Sequence, residues 1–286
     1  MFKKVTMAVA CVVITAMQAQ AFEKPKGIGY VVGNWDDNLP QNDWSFVLTD
    51  TTARSGKLSQ RFELRNGDCT VQPQPRHDPQ WGCYNDRERA EVMGHSWRPG
   101  KDKWIGFSVK VTDEWEETLS WTNHCTSIFQ IKQTEDVYQG NLGMEYVGSH
   151  AVVHGVICGS TFGLRIMRTG YNDNKFDGWM KTEDVWFGNI NSIKDKWNDV
   201  VLRWNTKNYR KNESSLEIYL NGNKVGKWKN ITSKFFPREY TFKYGPYRGG
   251  MKKQGVKSVT QVIYFDEIRY GRSFESVDPK GKKAID

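Results

Sequence analysis

LEIYLNGNKV, residues Leu216 to Val225, alternates apolar and polar side chains up to an Asn-Gly-Asn turn and then resumes. Alternation with period two is the mark of a strand with one buried face, and either Asn221-Gly222 or Gly222-Asn223 can take the positive φ that a tight hairpin turn needs. The segment therefore reads as a β-hairpin. Outward from it the same texture recurs. Short alternating or apolar runs cover Lys57 to Leu64, Trp104 to Val111, Ser127 to Lys132, Phe162 to Arg168, Asp199 to Trp204 and Val262 to Tyr270, with Asn, Gly and Asp between them. Many short strands punctuated in this way predict an all-β antiparallel sandwich. Helix is expected only as short turns near Asn191 to Lys196 and Thr232 to Phe236.

Two stacked, curved sheets would form a jelly roll whose concave face offers a groove to an extended ligand. No repeat, low-complexity tract or long linker divides the chain, so residues 22–286 read as one domain. The closing DPKGKKAID reads as a polar tail expected to fray. Residues 1–21 carry Lys3 and Lys4, an apolar run from Val5 to Met17, and Ala19-Gln20-Ala21. That is the pattern of a secretory signal peptide, too short in its apolar core to span a bilayer. The mature chain is thus expected to be secreted or periplasmic, with no membrane segment. Without Lys3 and Lys4 it holds 39 basic and 33 acidic residues, a charge of +6 that favours a polyanionic partner. Cys11 leaves with the leader. Cys69, Cys83, Cys125 and Cys158 remain, an even number that in an exported chain suggests two disulfides, with Cys69–Cys83 and Cys125–Cys158 the expected pairing among three connectivities. No pair has the close spacing of a structural zinc site.

Three stretches place polar groups in line on one strand face. In NDRERAEV, residues 85 to 92, Arg87, Arg89 and Glu91 share a face; the arginines suit forked binding of carboxylate or sulfate. In Ile128 to Gln133, Gln130 and Lys132 point away from Phe129 and Ile131. In Tyr240 to Tyr247 the same parity carries Thr241, Lys243 and Tyr247.

These stretches resemble a family. Phe62 to Cys69 followed by Cys83 to Val92 is similar to the opening of the heparin-lyase-type polysaccharide lyases and, more distantly, to the R-[ST]-E-[LV] strand of jelly-roll alginate and glucuronan lyases. FQIKQ resembles the family's Q-[IVW]-H strand, and FKYGPY its F-K-x-G-x-Y strand. Trp197 to Trp204, the LNGNKV hairpin and VIYFDEIRYG are similar to the scaffold of this concanavalin A-like fold, so the resemblance runs from about Phe62 to Gly271.

The resemblance implies β-elimination, in which a uronic acid within the polymer loses its C5 proton and the 4-linked oxygen departs. A proton α to an ionised carboxylate is very weakly acidic, so stabilising the developing charge is the main task. The resemblance puts Arg89 and Gln130 at the carboxylate and Tyr247 at the proton transfer, with Lys132 completing the catalytic set. Arg87, Glu91, Lys243 and Arg248 become substrate-binding residues; Glu91 would brace Arg89, and Lys243 would assist Tyr247 or bind the sugar chain. One position departs: Lys132 stands where the family has His. His124, His150 or His154 could supply an imidazole from elsewhere, although for each a structural or surface role is the more ordinary expectation, and His77 and His95 are weaker still.

The expected partner is an acidic polysaccharide, a uronan, with no nucleic acid and with the chain acting as a monomer. No cofactor is required; a structural calcium is left open. The rival expectation is a non-catalytic, lectin-like jelly roll, favoured by Lys132. No G-x-S-x-G, P-loop or H-E-x-x-H motif occurs, and Asp266-Glu267 and Glu114 to Glu117 lack the carboxylate spacing of a jelly-roll glycoside hydrolase.

Overall fold

The computed structural model describes residues 42–68, 87–117, 125–133, 151–172, 175–211, 213–231, 239–249 and 259–285. The leader, Cys69, Cys83, His77, His124, His150 and the turn expected at Thr232 to Phe236 lie outside them.

Two antiparallel sheets form the sandwich. The first has the order β1 (Phe46–Thr49), β2 (Ser59–Leu64), β14 (Gln261–Gly271), β5 (Asp102–Val111), β10 (Asn198–Asn208), β11 (Glu213–Leu220), β12 (Asn223–Lys229). The second has the order β3 (Arg87–Arg89), β13 (Tyr240–Gly249), β6 (Thr126–Gln133), β7 (Ala151–Cys158), β8 (Thr161–Asn172), β9 (Lys175–Asn189), with β4 (Val92–Trp97) also paired to β13. The fold is the all-β jelly-roll sandwich that the strand pattern predicts.

Alternation drives the layering. Tyr240, Phe242 and Tyr244 of β13 turn inward, as do Phe129 and Ile131 of β6 and Leu202 and Trp204 of β10, and all are buried in one core between the sheets. Aromatic rings fill its centre: Phe107 meets Phe129 edge-on at 5.3 Å and Phe62 meets Phe265 at 5.6 Å. Such contacts add to the area they bury. The hairpin of β11 and β12 closes through Asn221 at φ 50° and Gly222 at φ 82°, with Leu220 opposite Asn223, which selects the Asn-Gly alternative.

Two differences from the sequence reading have physical causes. The tail does not fray: Val277 of α1 (Phe274–Val277) is buried against Trp104 and Val201, Ile285 packs on the core, and Arg269 donates to the Lys283 carbonyl. Strand β9 was not foreseen, because a sheet-edge strand with charged residues at Glu183 and Asp184 lacks the apolar signal that marks a central one.

Candidate active site

The outward face of the second sheet is organised by register. Residues directly opposite on antiparallel strands share a face. Gln130 pairs with Lys243 on one side and His154 on the other, His154 pairs with Arg165, and Arg165 with Asp184. One row of polar side chains thus crosses five strands. A second row lies beside it: Arg89 opposite Tyr247, Tyr247 opposite Ser127, Ser127 opposite Val156, Val156 opposite Gly163 and Gly163 opposite Trp186.

Irregularities bring the rows together. In β13 an extra residue falls between Tyr244 and Tyr247, where Gly245 has φ +109°. A Cβ there would lie 2.2 Å from the Ala90 carbonyl oxygen, so only glycine allows β13 to pass the break between β3 and β4. In β6 a bulge between Ser127 and Phe129 turns Ser127 to the outer face while Phe129 stays in the core. Gly155 permits this: a Cβ on it would lie 2.1 Å from the Phe129 ring. The disulfide Cys125–Cys158 ties the neighbouring ends of β6 and β7, as expected for that pair. The Cys69–Cys83 expectation lies outside the described residues.

Within the cluster, the Arg89 guanidinium lies over the Tyr247 ring, 4.9 Å from its centroid, and both residues are partly exposed. The Arg89 amide donates to the Asp68 carbonyl, anchoring β3 to the turn after β2. Gln130, 6% exposed, donates to Glu91, 1% exposed, whose Oε1 accepts while the buried Oε2 has no hydrogen-bond partner among the described residues. Glu91 therefore braces Gln130 rather than Arg89, which corrects the expectation. Its position two residues past Arg89 is offset by the break at Ala90, where the chain leaves Tyr247 and moves alongside Tyr244 of β13, so that the Glu91 side chain meets Gln130 of β6. Lys243 is 2% exposed beside Gln130, and half-buried Lys132 stands opposite Thr241. Arg87 lies in β3 opposite Gly249; its side chain is outside the described residues.

Arg248 is a second correction. Alternation sends it inward where Tyr247 points outward, and it is 1% exposed. It donates to Glu88 at 2.5 Å and reaches the Val259 carbonyl and Gln261 of the first sheet. Desolvation pulls its guanidinium below the usual range against the pull of Glu88. Arg248 and Glu88 thus form a buried ion pair directly behind Arg89 and Tyr247, fixing the two strands rather than meeting a substrate.

His154 is the residue that sequence reasoning undervalued. Its Nδ1 lies 3.1 Å from Ser127 Oγ, and Ser127 Oγ donates to the Phe129 carbonyl at 3.1 Å. Desolvation first, then the charge of Arg165, lower its pKa to about 4, so it is neutral near pH 7. Arg165 in turn grips Asp184 with two hydrogen bonds of 2.8 and 2.9 Å. The one signal in the sequence was a lone imidazole in the apolar run AVVHGVIC, which fits an open strand face better than a core. Among the described residues no group of three His, Cys, Asp or Glu side chains is placed to hold a metal ion, and no helix is long and apolar enough to cross a membrane.

Comparison with solved structures finds proteins of the same fold. The chain resembles an endo-β-1,4-glucuronan lyase from the fungus Trichoderma reesei, with 16% identity, a TM-score of 0.62, and coverage of 89% of this chain and 98% of that one. It also resembles a family 7 alginate lyase, A1-II′, solved with a GGG product, at 12% identity and a TM-score of 0.51, covering 81% and 85% of the two chains. At these identities the likeness establishes the shared fold. No curated protein sequence matches the chain. Residues 26–269 match the polysaccharide lyase family over most of the sequence, and the chain belongs to that family of enzymes.

Proposed function

We propose that this polysaccharide lyase cleaves a uronic-acid polymer by β-elimination on the outer face of the second sheet, leaving an unsaturated uronate at the new non-reducing end. The observation that carries the reading is the convergence on that face of Arg89, Tyr247 and Gln130 from three adjacent strands. Together these supply what elimination from a uronate needs: donors for the carboxylate and a hydroxyl for proton transfer. The structural neighbours, named as glucuronan and alginate lyases, act on polyuronates, which supports the same substrate class.

In this reading the substrate carboxylate lies against the Gln130 amide, with Arg89 and Lys132 adding positive charge. A base on this face takes the C5 proton while the C5–H electrons form the C4–C5 double bond and the C4–O4 bond breaks, and O4 leaves protonated by the Tyr247 hydroxyl. Glu91 keeps the Gln130 amide aimed, since a buried carboxylate acceptor fixes which amide end faces it. Trp186, 46% exposed at the far end of the Tyr247 row, offers an apolar face on which a sugar can stack four strands, about 19 Å, away. The chain works outside the cytoplasm, a reading supported by the leader pattern and the Cys125–Cys158 disulfide.

The test is product chemistry. Incubated with glucuronan, alginate and heparin-type chains, the protein is expected to yield from one of them oligosaccharides lighter by one water than hydrolysis products, as mass spectrometry would show. Products carrying the full mass of hydrolysis would overturn elimination.

A further inference from the structure

The imidazole missing at Lys132 is present one strand away. We propose that His154 Nε2 is the acceptor of the C5 proton and that Ser127 is its positioning residue; this rests on the β-elimination reading above.

Hydrogen-bond bookkeeping carries the first step. A serine hydroxyl has one proton, and Ser127 gives it to the Phe129 carbonyl. Toward His154 Nδ1 its oxygen therefore acts as acceptor, so Nδ1 carries the imidazole proton and Nε2 keeps its lone pair. Among the described residues Nε2 has no hydrogen-bond partner. Register carries the second step. His154 is opposite Gln130 on the β7 side of β6, and Tyr247 is opposite Ser127 on the β13 side, so imidazole and phenol flank the strand that carries the amide assigned to the carboxylate.

Charge carries the third. The charges acting on His154 are Arg165 and Asp184 from β8 and β9; on the other side Lys132 of β6 stands opposite Ala151, and Lys243 of β13 and Glu91 lie beyond Gln130. Burial and Arg165 keep the free imidazole neutral, hence ready to accept. An incoming uronate carboxylate is negative and opposes both effects, so the base strengthens when substrate is bound. The protons balance: His154 takes one from C5, Tyr247 gives one to O4, and the resulting imidazolium and phenolate recover through solvent. A single tyrosine then need not serve both ends of the reaction.

The test uses the whole protein and the uronan it cleaves. His154→Gln is expected to lower kcat about 10²–10⁴-fold with KM little changed, and to remove the acid limb of the pH profile. In the wild type that limb should lie at higher pH for kcat than for kcat/KM, because the first reports the complex and the second the free enzyme. Ser127→Ala should lower kcat about tenfold and move the acid limb, with Ser127→Thr restoring both, a rescue that loss of packing alone would not produce. Nitrogen chemical shifts of labelled wild-type protein should show Nδ1 protonated, a readout that does not depend on any variant folding. Wild-type kcat in a folded His154→Gln protein, or an Nε2–H tautomer, would overturn the proposal while leaving elimination standing. Absence of unsaturated product from the wild type would overturn both.

Discussion

The two outward faces of the sandwich are both rich in polar side chains, yet they use them differently. On the first sheet the prominent charges are paired with one another, although a buried Arg269 nitrogen has no partner among the described residues. Arg54 holds Asp199 through two hydrogen bonds, Arg203 holds Asp102 through two more, and Glu217 meets Arg203, Lys224 and Lys227. Despite burial, which pushes it up, Glu217 is held down to about 2 by Lys224 and Lys227. On the second sheet the central bonds are Gln130 to Glu91 and His154 to Ser127, and among the described residues they leave capacity unused: a buried carboxylate oxygen on Glu91 and the second ring nitrogen of His154. A face whose donors and acceptors close on one another serves the fold. A face that holds them aligned but incompletely matched is prepared for a ligand.

The contrast breaks most sharply within β13, where Tyr247 and Arg248 are neighbours with opposite duties. Arg248→Met leaves Glu88 buried without its cation and should cost about 3–5 kcal/mol in denaturant unfolding, whereas replacing both partners by apolar residues should recover most of that loss. Equal destabilisation in the single and double variants would show that Arg248 matters for something other than its pair.

The faces should also titrate in opposite senses. Burial lowers the His154 pKa from 6.5 to about 4, so its contribution to stability is present above about pH 6.5 and is lost as pH falls through 4. Asp266, buried on the first sheet, is raised from 3.8 to about 6 mainly by desolvation. Its contribution is present below about pH 4 and is lost as pH rises through 6. Each amounts to about 3 kcal/mol. Against wild type, Asp266→Asn should remove the loss toward neutral pH and His154→Gln the loss toward acid; two difference curves of the same sign would erase the distinction.

Trp186→Ala should have the smallest effect. As an exposed residue its removal should leave the melting temperature within error and raise KM for long polymer a few fold, with little change for short oligosaccharides. An equal rise for both would place Trp186 outside the binding face.

Much of this was legible in the chain because it is local. Alternation alone sets Arg89, Gln130, Lys243 and Tyr247 on an outer face, and Asn221-Gly222 declares its hairpin. The same alternation, applied one residue further, would have turned Arg248 inward, since residues 247 and 248 of one strand cannot face the same way. What the sequence hides is register between strands. That His154 stands beside Gln130 and reaches Ser127 depends on bulges in β6 and on Gly155 yielding space to Phe129, none of which periodicity reveals. Glu91 was paired with the wrong neighbour for a related reason: the break at Ala90 shifts its reach from β3 to β6.

The central claim, that the outer face of the second sheet performs β-elimination through Tyr247, is tested most directly by ultraviolet absorbance of the unsaturated uronate. Wild-type protein and Tyr247→Phe would be followed on glucuronan, alginate and heparin-type chains, with melting curves to confirm that both are folded. A rise on one polymer with wild type, reduced about 10²–10⁴-fold in the variant, is the predicted result. An undiminished rate in Tyr247→Phe would contradict the account.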